Sequence, residues 1–416
     1  MKGEKNYLLE PKLAWRSVWK NRRRTVLTLL TIVVGCAMII FMNAIATGGH
    51  EQMITDAVEI NTGHIQIHEK GFWENQSIDY AFIPEDDLLT MLTRDERVDA
   101  ITRRVNAGAL LSFGNNTYAA MVQAVDPDHE KKVTVIHEKI VKGGRYLNAD
   151  DRTGIVVGYV LAKNLGVTAG DEVSMISQGF DGSIAADNLT ILGLFDTGNP
   201  ELDQALVIMP LARAMETFTM MGYINSIAIK LKSVDDMSSL RSDIITITDP
   251  EEIEVMGWDE LMPELVQFII MDDAGAYITD FILLMIVAFG ILNTIQMSVY
   301  ERIREFGVML AIGTRPSQVR AMVLYESLFI SLIGIALGLA LGSVLSYYFS
   351  IHPIDYSAYA EEMKVWGVST LLFPARVTAL NLWVTSVFIL VLSLIFSFFP
   401  AQRASKLKPI EAIRHL

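Results

Sequence analysis

Four apolar stretches, residues 26–47, 277–298, 321–349 and 380–400, dictate what this 416-residue chain can become. Each is long enough to cross a hydrocarbon core of ~30 Å at ~1.5 Å per helical residue. Residues 48–276 separate the first stretch from the second and are too many and too polar for a loop. The expected fold is a membrane protein with four transmembrane helices in a 1+3 layout. A large extracytoplasmic α/β domain with a β-rich module sits between helices 1 and 2.

Charge orients this layout. Residues 48–276 hold 16 Lys and Arg against 38 Asp and Glu, a net −22, and the rest of the chain carries +8. So acidic an insert argues against nucleic-acid binding. Lys2, Lys5, Lys12, Arg16, Lys20, Arg22, Arg23 and Arg24 precede the first stretch. Arg302, Arg304, Arg315 and Arg320 lie between the second and third, and Arg403, Lys406, Lys408 and Arg414 follow the fourth. The 350–379 connection has only Lys364 and Arg376 against Asp355, Glu361 and Glu362. The bias of cations toward the cytoplasm places both termini inside and the insert and 350–379 outside. The first stretch ends in Ala44-Ile45-Ala46, similar to a cleavage site, but exceeds a signal-peptide core and is expected to be retained. The single cysteine, Cys36, lies within it and reads as a small packing residue, so the outer domain has no disulfide.

The expected organisation follows. Residues 1–25 form an amphipathic interfacial helix, patterned over 8–25, with Trp15 and Trp19 at headgroup depth among Lys12, Arg16 and Lys20. Residues 299–320 are a cytoplasmic connector and 401–416 a cytoplasmic tail. Within 48–276, strand periodicity is read at 62–68, 98–105, 109–113, 117–125, 172–177, 188–195, 205–209, 226–231 and 253–256. Helices are read at 84–93, 157–165, 210–219 and 233–244. The β-rich module spans about 98–203. Ser177–Ser183, with Asp181-Gly182, reads as a hairpin turn. The turn is either ordinary or carries Gln178, Phe180 and Asp181 as a protruding contact for an outer partner. Gly334, Gly338 and Gly342 form a small-residue stripe for packing on the fourth helix or a second subunit.

Catalytic signatures are missing. No G-x-x-x-x-G-K-[ST], H-E-x-x-H or G-x-S-x-G occurs, so no ATP, metal or cofactor is expected on this chain, and it is not read as an enzyme. His64 and His68 share a strand face but sit ~13 Å apart, too far for one ion, and read as a polar face. Asp280 and Glu326, the acids inside the stretches, read as interfacial.

Three segments in order carry a resemblance. They are Trp15-Arg16-Ser17 through Lys20-Asn21-Arg22-Arg23-Arg24-Thr25, then Tyr300-Glu301-Arg302-Ile303-Arg304-Glu305-Phe306-Gly307 through Gly313, and finally Pro400-Ala401 through Arg403-Ala404-Ser405, Pro409-Ile410-Glu411-Ala412-Ile413-Arg414. Gly143-Gly144-Arg145-Tyr146-Leu147 through Gly154-Ile155-Val156-Val157-Gly158 adds a fourth inside the insert. The chain resembles ABC transporter permeases of the MacB/FtsX superfamily. Thr62-Gly63-His64-Ile65-Gln66-Ile67-His68 and the Ser177-Gln178 hairpin bring it nearest to the LolC/LolE lipoprotein-releasing permeases, although the Pro- and Arg-rich hook sequence of LolC is absent.

The resemblance implies a multi-pass inner-membrane permease that transmits movement from a LolD/MacB-like ATPase subunit, which carries ATP and Mg. Glu301, Arg302, Arg304, Glu305, Phe306, Met309 and Leu310 would form the ATPase-coupling helix. A second permease copy or paralogue completes the dimer. Lipoprotein cargo, a periplasmic carrier and membrane lipids are further implied partners. A cargo cavity would use Met38, Phe41, Met42, Ile278, Phe281, Ile282 and Met285, which suit alkyl chains and suit lipid contact or packing equally. Export of a drug, peptide or toxin, and FtsX-like regulation of a cell-wall hydrolase, are the competing functions.

Overall fold

The computed structural model describes residues 9–359 and 370–408. Lys2, Lys5, Glu361, Glu362, Lys364 and residues 409–414 of the C-terminal motif lie outside them. The described chain divides into two compact units, one of the long helices and one of residues 52–268 with 356–371.

Among the described residues, four helices are long and apolar enough to cross a membrane: span 1 Arg22–Thr62, span 2 Pro263–Glu301, span 3 Pro316–Ile351 and span 4 Ala379–Ser405. All four outrun their apolar stretches, because nothing in the flanking polar residues breaks a helix. An amphipathic helix, Leu9–Lys20, precedes span 1. It stops at Lys20 rather than running to Thr25, because the chain turns at Asn21. The Thr25 hydroxyl holds that corner by donating to the Val18 carbonyl at 2.5 Å.

The glycine stripe packs on span 1, not on span 4. A Cβ at Gly334 would lie 2.6 Å from Ile32, and one at Gly338 would lie 2.6 Å from Cys36. Gly342 abuts Ala37 and Ile40, so span 1 lies in the groove that the missing side chains open. Cys36 is buried there. Span 4 meets span 3 through hydroxyls instead, with Ser327 Oγ 2.6 Å from Ser397 Oγ. Spans 1 and 2 meet at Thr31 and Gly290, at Gly35 and Val287, and at Asn43, whose Nδ2 donates to Asp280 at 2.8 Å.

In the other unit nine strands share one sheet, in the order β3-β7-β4-β6-β5-β2-β8-β1-β9, and β3 also pairs with β2. That last pairing closes six strands into a ring: β2 (Val98–Phe113), β3 (Asn116–Val125), β4 (Gly154–Gly158), β5 (Glu172–Gln178), β6 (Ile184–Phe195) and β7 (Leu206–Pro210). Buried residues of these strands mix small and large side chains, among them Ala107, Ala109, Leu111, Ala120, Met175 and Leu189. The two strands expected at 98–105 and 109–113 are one strand, β2. Its first half pairs with β8 (Ser226–Leu231), and its second half pairs with β3 and β5. β1 (Ile65–Glu69) lies between β8 and β9 (Ile253–Gly257). The β-rich module therefore extends past 203 to β7 and shares β2 with its neighbour. β4, a fully buried run of Gly, Ile and Val without alternation, gives no period-2 signal, and the helix expected from 157 overlaps its end. The helix begins at Tyr159.

Candidate functional site

The connecting helix Ile303–Ala311 follows span 2 after a break at Arg302. Gly313 ends it in a conformation that glycine adopts without strain, with φ +97°. The amides of Gly313 and Thr314 return to the carbonyls of Leu310 and Met309, which satisfies the helix end.

The charges at this helix do not form one outward face. Glu301 accepts from Arg24 Nη1 at 2.8 Å. Arg302 donates to Glu305 at 2.9 Å and to Glu326 at 3.0 Å. Glu305 also accepts from Lys20 Nζ at 2.5 Å. Burial raises the Glu305 pKa, but the hydrogen bonds from Lys20 and Arg302 outweigh it and hold the carboxyl below its usual range. Phe306 is buried with the Arg302 guanidinium 4.9 Å from its ring centre, so it anchors the helix inward and is not offered to a partner. Met309 and Leu310 are partly buried against the same core. Arg304 alone of the four charges makes no ion pair among the described residues. It shares the exposed face with Val308 and with Ile312, which is 78% exposed. Ile312 is not among the seven expected coupling residues and lies past the charged turn. Its i+4 spacing from Val308 and i+8 spacing from Arg304 was the available signal.

Glu326 of span 3, expected at the interfacial end of its stretch, is buried inside the protein. It is 1% exposed and receives four donors: Ser17 Oγ at 2.9 Å, Arg24 at 3.3 Å, Ser298 Oγ at 3.0 Å and Arg302 at 3.0 Å. These come from the amphipathic helix, span 1, span 2 and the break before the connecting helix. A buried carboxylate is tolerated when it is paired and hydrogen-bonded in this way. A groove of about 620 Å³ opens beside the network, lined in part by Trp15, Arg16, Trp19, Lys20 and Met309.

Of the seven residues expected to line a cargo cavity, five are exposed on two helices. Met38 and Met42 are exposed on span 1, and Ile278, Phe281 and Ile282 on span 2. Met285 is half-buried. Phe41 is turned away onto Phe349 of span 3, with ring centres 5.2 Å apart.

At the hairpin, Gln178 and Asp181 are exposed, and Asp181 caps the turn by accepting from the Ser183 amide at 3.0 Å. Phe180 does not protrude. Its amide donates to the Phe218 carbonyl, and its ring lies 4.9 Å from that of Tyr223.

His64, Gln66 and His68 are buried rather than solvent-facing, because β1 is covered on both sides. His64 Nδ1 accepts from the Leu231 amide at 3.2 Å. Burial, with Arg104 nearby, pushes the His68 pKa down to about 3. Beside them Arg104 and Glu130 pair at 2.6 Å with only 2% and 1% of their side chains exposed. Arg104 also donates to the Asn61 carbonyl at 2.6 Å, in the π-helical turn Val58–Thr62.

Four membrane-length helices in a 1+3 order, a large domain after the first and a short helix pinned between the second and third define a permease-type membrane protein. Two family models match this chain, the MacB-like periplasmic core domain over residues 25–247 and the FtsX-like permease C-terminal over residues 278–409. The chain belongs to the MacB/FtsX permease family.

It is 24% identical to the probable syringafactin export ATP-binding/permease protein SyfD of Pseudomonas syringae pv. syringae, over 96% of this chain and 59% of that protein. It is 22% identical to the macrolide export ATP-binding/permease protein MacB 2 of Yersinia pestis bv. Antiqua, over 97% of this chain and 57% of that one. The chain thus spans less than three-fifths of the length of these relatives. Among solved structures, the periplasmic region of MacB from Actinobacillus actinomycetemcomitans is 16% identical. The match covers 50% of this chain and 94% of that one with a TM-score of 0.36.

Proposed function

We propose that this chain is the permease of an ATP-driven transporter that moves cargo by mechanotransmission. The observation that carries the reading is the two-sided connecting helix. One side is bound into an ion-pair network, and the other leaves Arg304, Val308 and Ile312 exposed as a docking strip for an ATPase. ATP and Mg belong to that ATPase, which is a separate subunit in this reading. The distribution of cations supports an inner-membrane location with both termini cytoplasmic and the domain outside. A second permease copy or paralogue would cover the exposed faces of spans 1 and 2.

The cargo in this reading is an amphiphile taken from the outer leaflet, its acyl chain against Met38, Met42, Ile278, Phe281 and Ile282. A lipoprotein passed to a carrier is the first form of it. Export of a smaller drug- or peptide-like amphiphile is the second. The relatives' names favour the second, as does Phe180, whose inward position leaves the hairpin without an apolar hook.

Native mass spectrometry of the chain extracted gently from its own membrane tests these readings. An ATPase with an acylated protein supports lipoprotein release. An ATPase with a small amphiphile supports export. A cell-wall hydrolase in place of cargo would favour FtsX-like regulation, and no bound ATPase would remove the transporter reading.

A further inference from the structure

We propose that Glu326 is a positioning residue that locks the start of the connecting helix to spans 1, 2 and 3, so that these elements shift as one body. Lys20, Arg24 and Arg302 face Glu301, Glu305 and Glu326, three charges against three. Glu326 alone of the six is fully buried, and it is where the links converge. Arg302 sits at the break between span 2 and the connecting helix and bonds Glu326 and Ser17 together, the latter at 2.5 Å.

The physical consequence is a stiff joint. Sliding the connecting helix away from span 3 would part Arg302 from Glu326 and strip a buried carboxylate of one of its two cationic partners, a larger penalty than parting a solvated pair. The opposite end of the helix has no such lock. There Gly313, at φ +97° and with open space where a side chain would stand, links it to span 3. A push on the exposed strip is therefore passed into the spans at the Arg302 end, while the Gly313 end yields. Packing alone would hold the helix through Phe306 and would not need the carboxylate. The role in transmission rests on the permease reading, but the lock itself does not.

The test uses spin labels on the full chain in nanodiscs, without nucleotide or ATPase. One pair, Arg304→Cys with Leu30→Cys, spans the joint at exposed positions next to the lock. A control pair, Leu30→Cys with Leu337→Cys, reports the packing of spans 1 and 3, also at exposed positions. Native Cys36 is replaced by Ala throughout. The wild-type background should give one narrow distance distribution for each pair. Glu326→Ala should broaden the joint pair and leave the control pair narrow. Arg302→Gln breaks the same link from its other side and should do the same, which carries the test if Glu326→Ala does not accumulate. A joint pair that stays narrow in both variants overturns the proposal, and so does equal broadening of the two pairs, which would mean general loosening. If the lock is seen but no ATPase binds the chain, only the permease reading is lost.

Discussion

The two units bury ion pairs in opposite ways. In the domain, Arg104 and Glu130 form a closed pair through Nε and Nη2 of Arg104, and Nη1 donates to the Asn61 carbonyl. Both belong to the ring module, one on β2 and the other in the following helix Pro127–Val133. Among the helices, Glu326 is shared by donors from four separate segments, and its partners Arg24 and Arg302 are themselves shared with Glu301 and Glu305. A closed pair fixes one local geometry. A shared carboxylate ties together elements that would otherwise be free to slide, which is what a machine transmitting movement requires.

The sharpest break in this comparison is at the closed pair. Glu130→Ala leaves the Arg104 cation buried without its partner, and the domain should lose about 3–5 kcal/mol. Hydrogen exchange across β2 and β3 in the full-length protein reads that loss, and the helices should keep their protection.

Next comes packing. Gly338→Val forces side-chain atoms into Cys36 and should cost about 1–3 kcal/mol, while Ala336→Val on the exposed face of the same helix should be near neutral. Thermal unfolding in detergent compares them.

Per unit of pH the next effect is smaller. His68 has a folded pKa of about 3 against 6.5 when free, so below pH 6.5 the unfolded chain takes up a proton that the folded domain refuses. Domain stability should then fall as pH drops from 6.5 toward 3, by up to about 1.4 kcal/mol per pH unit from this residue. Asp203 has the opposite sign, since burial raises its pKa to about 6, and it costs stability as pH rises from 3.8 through 6. His68→Gln should flatten the acid side of the stability profile and leave the Asp203 contribution in place, as followed by hydrogen exchange at several pH values.

The smallest effect is at Lys20. It pairs with Glu305 at 2.5 Å, but 64% of its side chain is exposed. Lys20→Ala should change stability by less than about 1 kcal/mol, in contrast to the buried members of the same network.

The helices were legible because hydropathy over 20 or more residues is decided by the residues themselves. The strands at 172–177 and 226–231 were legible for a similar reason, since their alternation or β-branched content needs no partner to explain it. β4 was not, because burial on both faces erases alternation. The glycine stripe announced close packing, but its partner is set by three-dimensional arrangement, and it proved to be span 1. Glu326 shows the limit most clearly. Its donors at 17, 24, 298 and 302 lie up to 309 positions away, and no local pattern links them. Phe180 read as a tip because turns are normally exposed, yet Tyr223 comes from elsewhere in the chain to cover it.

The connecting helix is bound on one side and exposed on the other. The most direct measurement is how much ATPase co-purifies with full-length Ile312→Asp and Glu301→Gln variants from the native membrane. Ile312→Asp places a charge in the exposed strip and should abolish retention of the ATPase, while Glu301→Gln, on the bound side, should retain it. Retention by Ile312→Asp together with loss in Glu301→Gln would contradict the account.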